Sequence, residues 1–76
     1  MNNNRRKIIR EIMDQIEELK SSLEECQEEE EEYMDSIPEN LQSGERYEKA
    51  EEAVSNLEDA VSNLEDALSS MEEAIA

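Results

Sequence analysis

Residues 53–73 read AVSNLED, AVSNLED, ALSSMEE: a seven-residue unit, repeated once unchanged and then once with substitutions. A strict seven-residue period with apolar residues three and four apart keeps one stripe on one side of an α-helix, and that stripe must be covered by another helix. The period is too short for a solenoid repeat, which needs 20 residues or more. The stripe begins upstream of the repeat and runs Tyr47, Ala50, Val54, Leu57, Val61, Leu64, Leu68, Met71, Ile75. With Val54 at heptad position a and Leu57 at d, position g is Ala53, Ala60, Ala67 and Ala74.

A second run of the same spacing lies nearer the N-terminus: Ile9, Ile12, Ile16, Leu19, Leu23, Cys26, then Glu30 and Tyr33 in the same register. Between the runs, DSIPENLQSG interrupts the pattern. Ser36 and Glu39 have the spacing of a capping box around Pro38, and Ser43 can cap a helix opening near Gly44. The spacing predicts helix 1 over about 5–35, a connection over 36–43 and helix 2 over about 44–76, one domain in all. Two rods of equal length joined by a short connection fold back as an antiparallel hairpin.

The expected fold class is therefore all-α, an antiparallel helical hairpin of coiled-coil character. A 76-residue chain buries little apolar surface alone, which favours self-association. The alanine row beside the seam of helix 2, with Ile8 and Met13 beside that of helix 1, widens each apolar face beyond what two helices use. The expected assembly is a homodimer of hairpins forming a four-helix bundle. A monomeric hairpin with a thin core is the alternative. On this reading Cys26 fills the seam, and Tyr33 and Tyr47 cap the core. A lone cysteine allows no intrachain disulfide.

Charge is distributed unevenly. There are 23 acids and 7 bases, a net −16, with Arg5, Arg6, Lys7 and Arg10 in the first ten residues and no acid among them. An antiparallel hairpin brings Glu28–Glu32 near Arg46 and Lys49, and the N-terminal bases near Glu72, Glu73 and the end of helix 2. The e and f positions of helix 2 hold a carboxylate doublet in every heptad: Glu51 and Glu52, Glu58 and Asp59, Glu65 and Asp66, Glu72 and Glu73. A surface selected for solubility alone mixes signs and gains i,i+4 pairs; this edge does not. The residues expected to bind a partner are Glu28, Glu29, Glu31 and Glu32 of helix 1 with Glu51, Glu52, Glu58, Asp59, Glu65 and Asp66 of helix 2.

Catalysis is not expected. There is no histidine, which removes Ser-His and Cys-His nucleophile systems and the Glu-x-x-His pairs of a di-iron bundle. The glutamate run lacks the spacing and glycine of a calcium loop, so neither a metal nor a cofactor is expected. Direct binding of nucleic acid is disfavoured, because residues 11–76 carry −20 against a polyanion. No segment approaches the ~20 apolar residues needed to span a bilayer. The basic N-terminus lacks the apolar run of a secretory signal, so the expected compartment is the cytoplasm. At the hinge, Tyr33, Asn40, Gln42, Arg46 and Tyr47 combine aromatic faces with an arginine, a set able to stack a base and hold a phosphate.

RRKIIREI, EELK and above all YMDSIPENLQSGERYEKAEEAVSNLEDA, Tyr33 to Ala60, resemble a group of small acidic helical proteins of phages and prophages. The resemblance spans nearly the whole chain, and no catalytic residue carries over from it. The group implies no settled activity, and a phage origin favours interference with host defence. The leading expectation is a DNA-mimic-like inhibitor that lays its acidic helices into a basic site on a host defence or nucleic-acid-handling protein. The alternatives are an oligomeric sponge for a nucleotide immune signal, built on the hinge residues, and a structural adaptor in virion assembly.

Overall fold

A computed structural model describes residues 1–76 as two long helices folded back on each other. Helix α1 spans Asn3–Asp35 and helix α2 spans Glu45–Ile75, with a single 3-10 turn at Glu39–Leu41 between them. The molecule is a rod of 59 × 15 × 13 Å with no strand. The antiparallel helical hairpin expected from the heptads is what forms.

The ends are set locally. Asn2 accepts a hydrogen bond from the Arg5 amide at 2.8 Å on its side-chain oxygen, which starts α1 two residues earlier than periodicity alone predicts. Helix α1 stops at Asp35 because Ile37 precedes proline, whose ring disfavours helical backbone at the residue before it. Ser36 closes the end: its amide donates to the Glu32 carbonyl at 3.0 Å and its hydroxyl to the Tyr33 carbonyl at 2.6 Å. The hydroxyl is thus used on the helix behind it, and no capping box with Glu39 forms. Helix α2 opens on Gly44, which has extended backbone (φ −84, ψ 166) and no side-chain cap; Ser43 does not fill that role. A side chain at Gly44 would bring a Cβ to 3.2 Å from the Leu41 carbonyl oxygen, a tight contact made by the preceding turn. Glu45 and Glu48 lie in the first turn of α2, where the helix dipole favours acids.

Helix α2 presents the predicted stripe. Ala50, Val54 and Leu68 are buried, and Tyr47, Leu57, Val61, Leu64, Met71 and Ile75 are half-buried. Ala53, Ala60 and Ala67 are also half-buried, so the alanine row is taken up largely within the hairpin; only Ala74 is exposed.

Helix α1 does not present the stripe read from the sequence. Ile9, Ile16, Leu23 and Glu30 face α2 as expected, but the positions alternating with them are Arg6, Met13, Lys20, Gln27 and Met34, all half-buried. Ile12, Leu19, Cys26 and Tyr33 are exposed, Leu19 by 66%. The helix is rolled toward its other flank because the chain beyond it fixes the register. Ile37, 4% exposed, is buried at the closed end, and steps of three and four back from it reach Met34, Glu30, Gln27 and Leu23. Cys26 is therefore not core filler, and Tyr33 is not in the seam.

Two helices side by side make a thin core. Four residues of 76 are buried, and no side chain is completely enclosed. Leu68→Ala removes a buried seam leucine and should cost about 2–3 kcal/mol, the low end for leucine truncation because the surroundings are shallow. Leu41→Ala, at a position 52% exposed in the connection, should change stability by less than about 0.5 kcal/mol. Urea unfolding followed by circular dichroism measures both, and equal losses would contradict this placement of the core.

Candidate acidic surface

A helix advances about 100° per residue, so five consecutive glutamates wrap more than one full turn. Glu28–Glu32 therefore do not make one row. Glu28, Glu29 and Glu32 are exposed, while Glu30 and Glu31 are half-buried beside the seam. Gln27 donates its side-chain amide to Glu31 at 3.2 Å. On α2 the i,i+7 spacing preserves what the run cannot: Glu51, Glu52, Glu58, Asp59, Glu65 and Asp66 are all exposed and form a continuous edge.

The two helices share acids in one place. A groove of about 330 Å³ near mid-rod is lined by Glu24, Gln27 and Glu28 of α1 and Glu58, Val61, Ser62 and Glu65 of α2. Four carboxylates line it with a single apolar side chain. Of the residues expected to bind a partner, the fold brings together Glu28, Glu58 and Glu65; Glu24 joins them although it was not among the expected set. The spacing signal for it was present, since Glu24 and Glu28 are four apart and share a helix face. The carboxylates are too dispersed for a metal: no group of three or more ligating side chains is close enough to hold one.

Lys20 supplies the compensating charge that sequence reasoning missed. Its ammonium lies 3.5 Å from Glu65 across the hairpin and 4.0 Å from both Glu17 and Glu24 on its own helix. The signal was Glu17 and Glu24 at i−3 and i+4 from a lone lysine. Lys20 is at a seam position because its aliphatic stem covers apolar surface while the ammonium reaches the edge.

The pairings expected at the two ends do not form. Arg46 turns to Tyr33, donating a hydrogen bond from Nε to the phenol oxygen and lying 5.2 Å from the ring centroid. Lys49 pairs with Glu45 on its own helix at 3.1 Å. Neither bridges to Glu28–Glu32. At the open end, Arg6 donates from Nε to the Ile75 carbonyl at 3.2 Å rather than to Glu72 or Glu73. That bond satisfies a carbonyl left free at the helix end and places a cation where the dipole favours one.

Of the hinge residues considered for a ligand, Tyr33 and Arg46 meet, and Gln42 donates to the Ile37 carbonyl at 3.4 Å. Asn40 is exposed and Tyr47 half-buried. They enclose no cavity; the only pocket on the hairpin is the acidic groove. No helix is long and apolar enough to cross a membrane. Comparison with protein-family models, curated proteins and solved structures finds no match.

One cross-hairpin ion pair against a net −16 leaves repulsion dominant. Raising salt to about 0.5 M should therefore raise the melting temperature, since screening weakens like-charge repulsion along the rod. Lys20→Met keeps the stem and removes the bridging charge. It should cost about 0.5–1 kcal/mol at low salt and steepen the salt dependence of melting. A melting temperature that falls as salt is added would mean that paired charges dominate.

Proposed function

We propose that this chain is a non-catalytic inhibitor that docks its acidic surface into a basic site on a nucleic-acid-handling or defence protein, in the cytoplasm of a phage host. The groove carries the reading: carboxylates from both helices line it at Glu24, Glu28, Glu58 and Glu65, and one lysine, Lys20, offsets them across the hairpin. The acidic edge of α2 extends this field along the rod. A net −16 over 59 Å is one charge per ~3.7 Å, against one per ~1.7 Å for duplex DNA. Clustered like charges on a rigid support steer a basic partner and fix its approach. The absence of histidine and the dispersal of the carboxylates favour binding over chemistry. The only cavity in one hairpin is lined by carboxylates, which repel a phosphate, so the inhibitor reading is preferred to a nucleotide sponge.

The test is retention of nucleic-acid-binding proteins from a bacterial lysate on the immobilised chain, with duplex DNA as competitor. Retention should fall steeply between about 50 mM and about 500 mM salt. Duplex DNA should displace the retained protein. Combining Glu24→Gln, Glu28→Gln, Glu58→Gln and Glu65→Gln should weaken capture on the order of tenfold while leaving helicity intact. Retention that is indifferent to both salt and DNA would remove the basis for the proposal.

A further inference from the structure

One stripe on the exposed side of α1 is apolar and, apart from Tyr33, which meets Arg46, has no partner within the hairpin. Ile8, Ile12, Leu19 and Tyr33 are among the large apolar residues left exposed, and Cys26 is exposed with them. Ile12, Leu19, Cys26 and Tyr33 are spaced seven apart. At 100° per residue, positions seven apart drift only about 20°, so the four form a stripe nearly parallel to the axis, with Ile8 beside it. This is a second apolar stripe of heptad spacing on the same helix, flanking the one that packs on α2 and adjoining it at Ile9, Ile16 and Leu23.

The apolar surface left in water is substantial: Ile8, Ile12, Leu19 and Tyr33 stay 47%, 40%, 66% and 38% exposed.

Charge identifies the partner and its direction. Helix α1 carries Arg5, Arg6, Lys7 and Arg10 at one end and Glu28–Glu32 at the other. A second copy laid antiparallel on the stripe sets each basic end beside an acidic end. A parallel copy would stack the bases on each other and ten glutamates together. The stripe also has its own centre: Leu19 is the midpoint of Asn3–Asp35 and the most exposed of the large apolar residues. A two-fold axis there places residues whose numbers sum to 38 at the same level. Leu19 then meets its own copy, Ile12 lies level with the partner's Cys26, Arg5 with the partner's Tyr33 and Lys7 with the partner's Glu31.

We propose that two hairpins associate through α1, antiparallel and centred on Leu19, giving a four-helix arrangement with the two α1 helices inside. The contact uses the Ile8–Ile12–Leu19–Cys26–Tyr33 stripe. It does not use the alanine row of α2, most of which the hairpin already half-buries. It stands on the fold alone and is independent of what the acidic surface binds.

Sedimentation and cysteine crosslinking test it. At about 100 µM the chain should sediment at twice its 8.8 kDa mass, and dilution should dissociate it. Leu19→Glu should sediment as a monomer that remains helical, because Leu19 makes little contact within its own hairpin. Under mild oxidation, Leu19→Cys combined with Cys26→Ser should crosslink two copies. Ile12→Cys should crosslink to the native Cys26 of the second copy. The unaltered chain should not crosslink, because two Cys26 residues would lie ~21 Å apart along the axis, far beyond the ~7 Å Cα limit of a disulfide. A monomeric unaltered chain, an undisturbed dimer in Leu19→Glu, or efficient Cys26–Cys26 crosslinking would each overturn the proposal.

Discussion

The seam between α1 and α2 is the contact on which everything else in this molecule rests, and it is shallow by construction. A helix in contact with one neighbour can bury only the strip facing it. The side chains flanking that strip stay half in water however apolar they are. Thus Ala50 and Ile37, the one small and the other at the closed end, are the most deeply buried residues, at 3% and 4% exposed. The leucines and valines of α2 stay half-covered apart from Val54 and Leu68. Stability in such a rod comes from many partial burials in series, supplemented by bonds at the ends such as Arg6 to the Ile75 carbonyl and the Ser36 closure of α1.

How much of this was legible depended on how clearly each helix marks its faces. In α2 the answer was nearly complete. Its apolar residues sit at a, d and g with polar residues elsewhere, so only one face can turn inward. In α1 the apolar residues occupy two adjacent faces that share Ile9, Ile16 and Leu23. Periodicity weighs Ile12, Leu19 and Cys26 above Met13, Lys20 and Gln27, because hydrophobicity is all it counts. The fold chose the more polar set, because the register of α1 is inherited from Met34 and Ile37 at the turn and because Lys20 gains Glu65 across the seam. A local rule about apolar spacing could not contain that information. The caps failed for a related reason. Ser36 and Ser43 each have a hydroxyl that can bond forward or backward, and spacing does not say which bond wins; Ser36 bonds backward to Tyr33.

The candidate surface was legible in kind and only partly in place. Heptad spacing fixes the acidic edge of α2, since residues seven apart must share a face. A run of consecutive residues does the opposite and spreads its charge around the helix. The groove that both helices line with acids thus lies near mid-rod, with Glu24 and Glu28 on one side and Glu58 and Glu65 on the other. It does not lie at the hinge end, where the glutamates are densest in sequence. Arg46 explains why the hinge is not the compensating site. A guanidinium beside Tyr33 finds both an acceptor and an aromatic face on one residue. A bond to a solvated glutamate would bring little by comparison.

The two proposals make different demands on the same rod, and their compatibility has a physical basis. One hairpin has less than half the axial charge density of duplex DNA. The proposed antiparallel association centred on Leu19 would double the charge without lengthening the rod, to one net charge per ~1.8 Å, close to the ~1.7 Å of a duplex. The apolar stripe lies on α1, whereas the acidic edge runs along α2, the outer helix of such an assembly. Covering the stripe therefore leaves the Glu58, Asp59, Glu65 and Asp66 edge facing solvent on both sides. The repulsion this creates opposes association, and the apolar stripe, with basic ends placed against acidic ends, must outweigh it. On this account the exposed isoleucines and leucine of α1 are what allow so much negative charge to be gathered on one short rod.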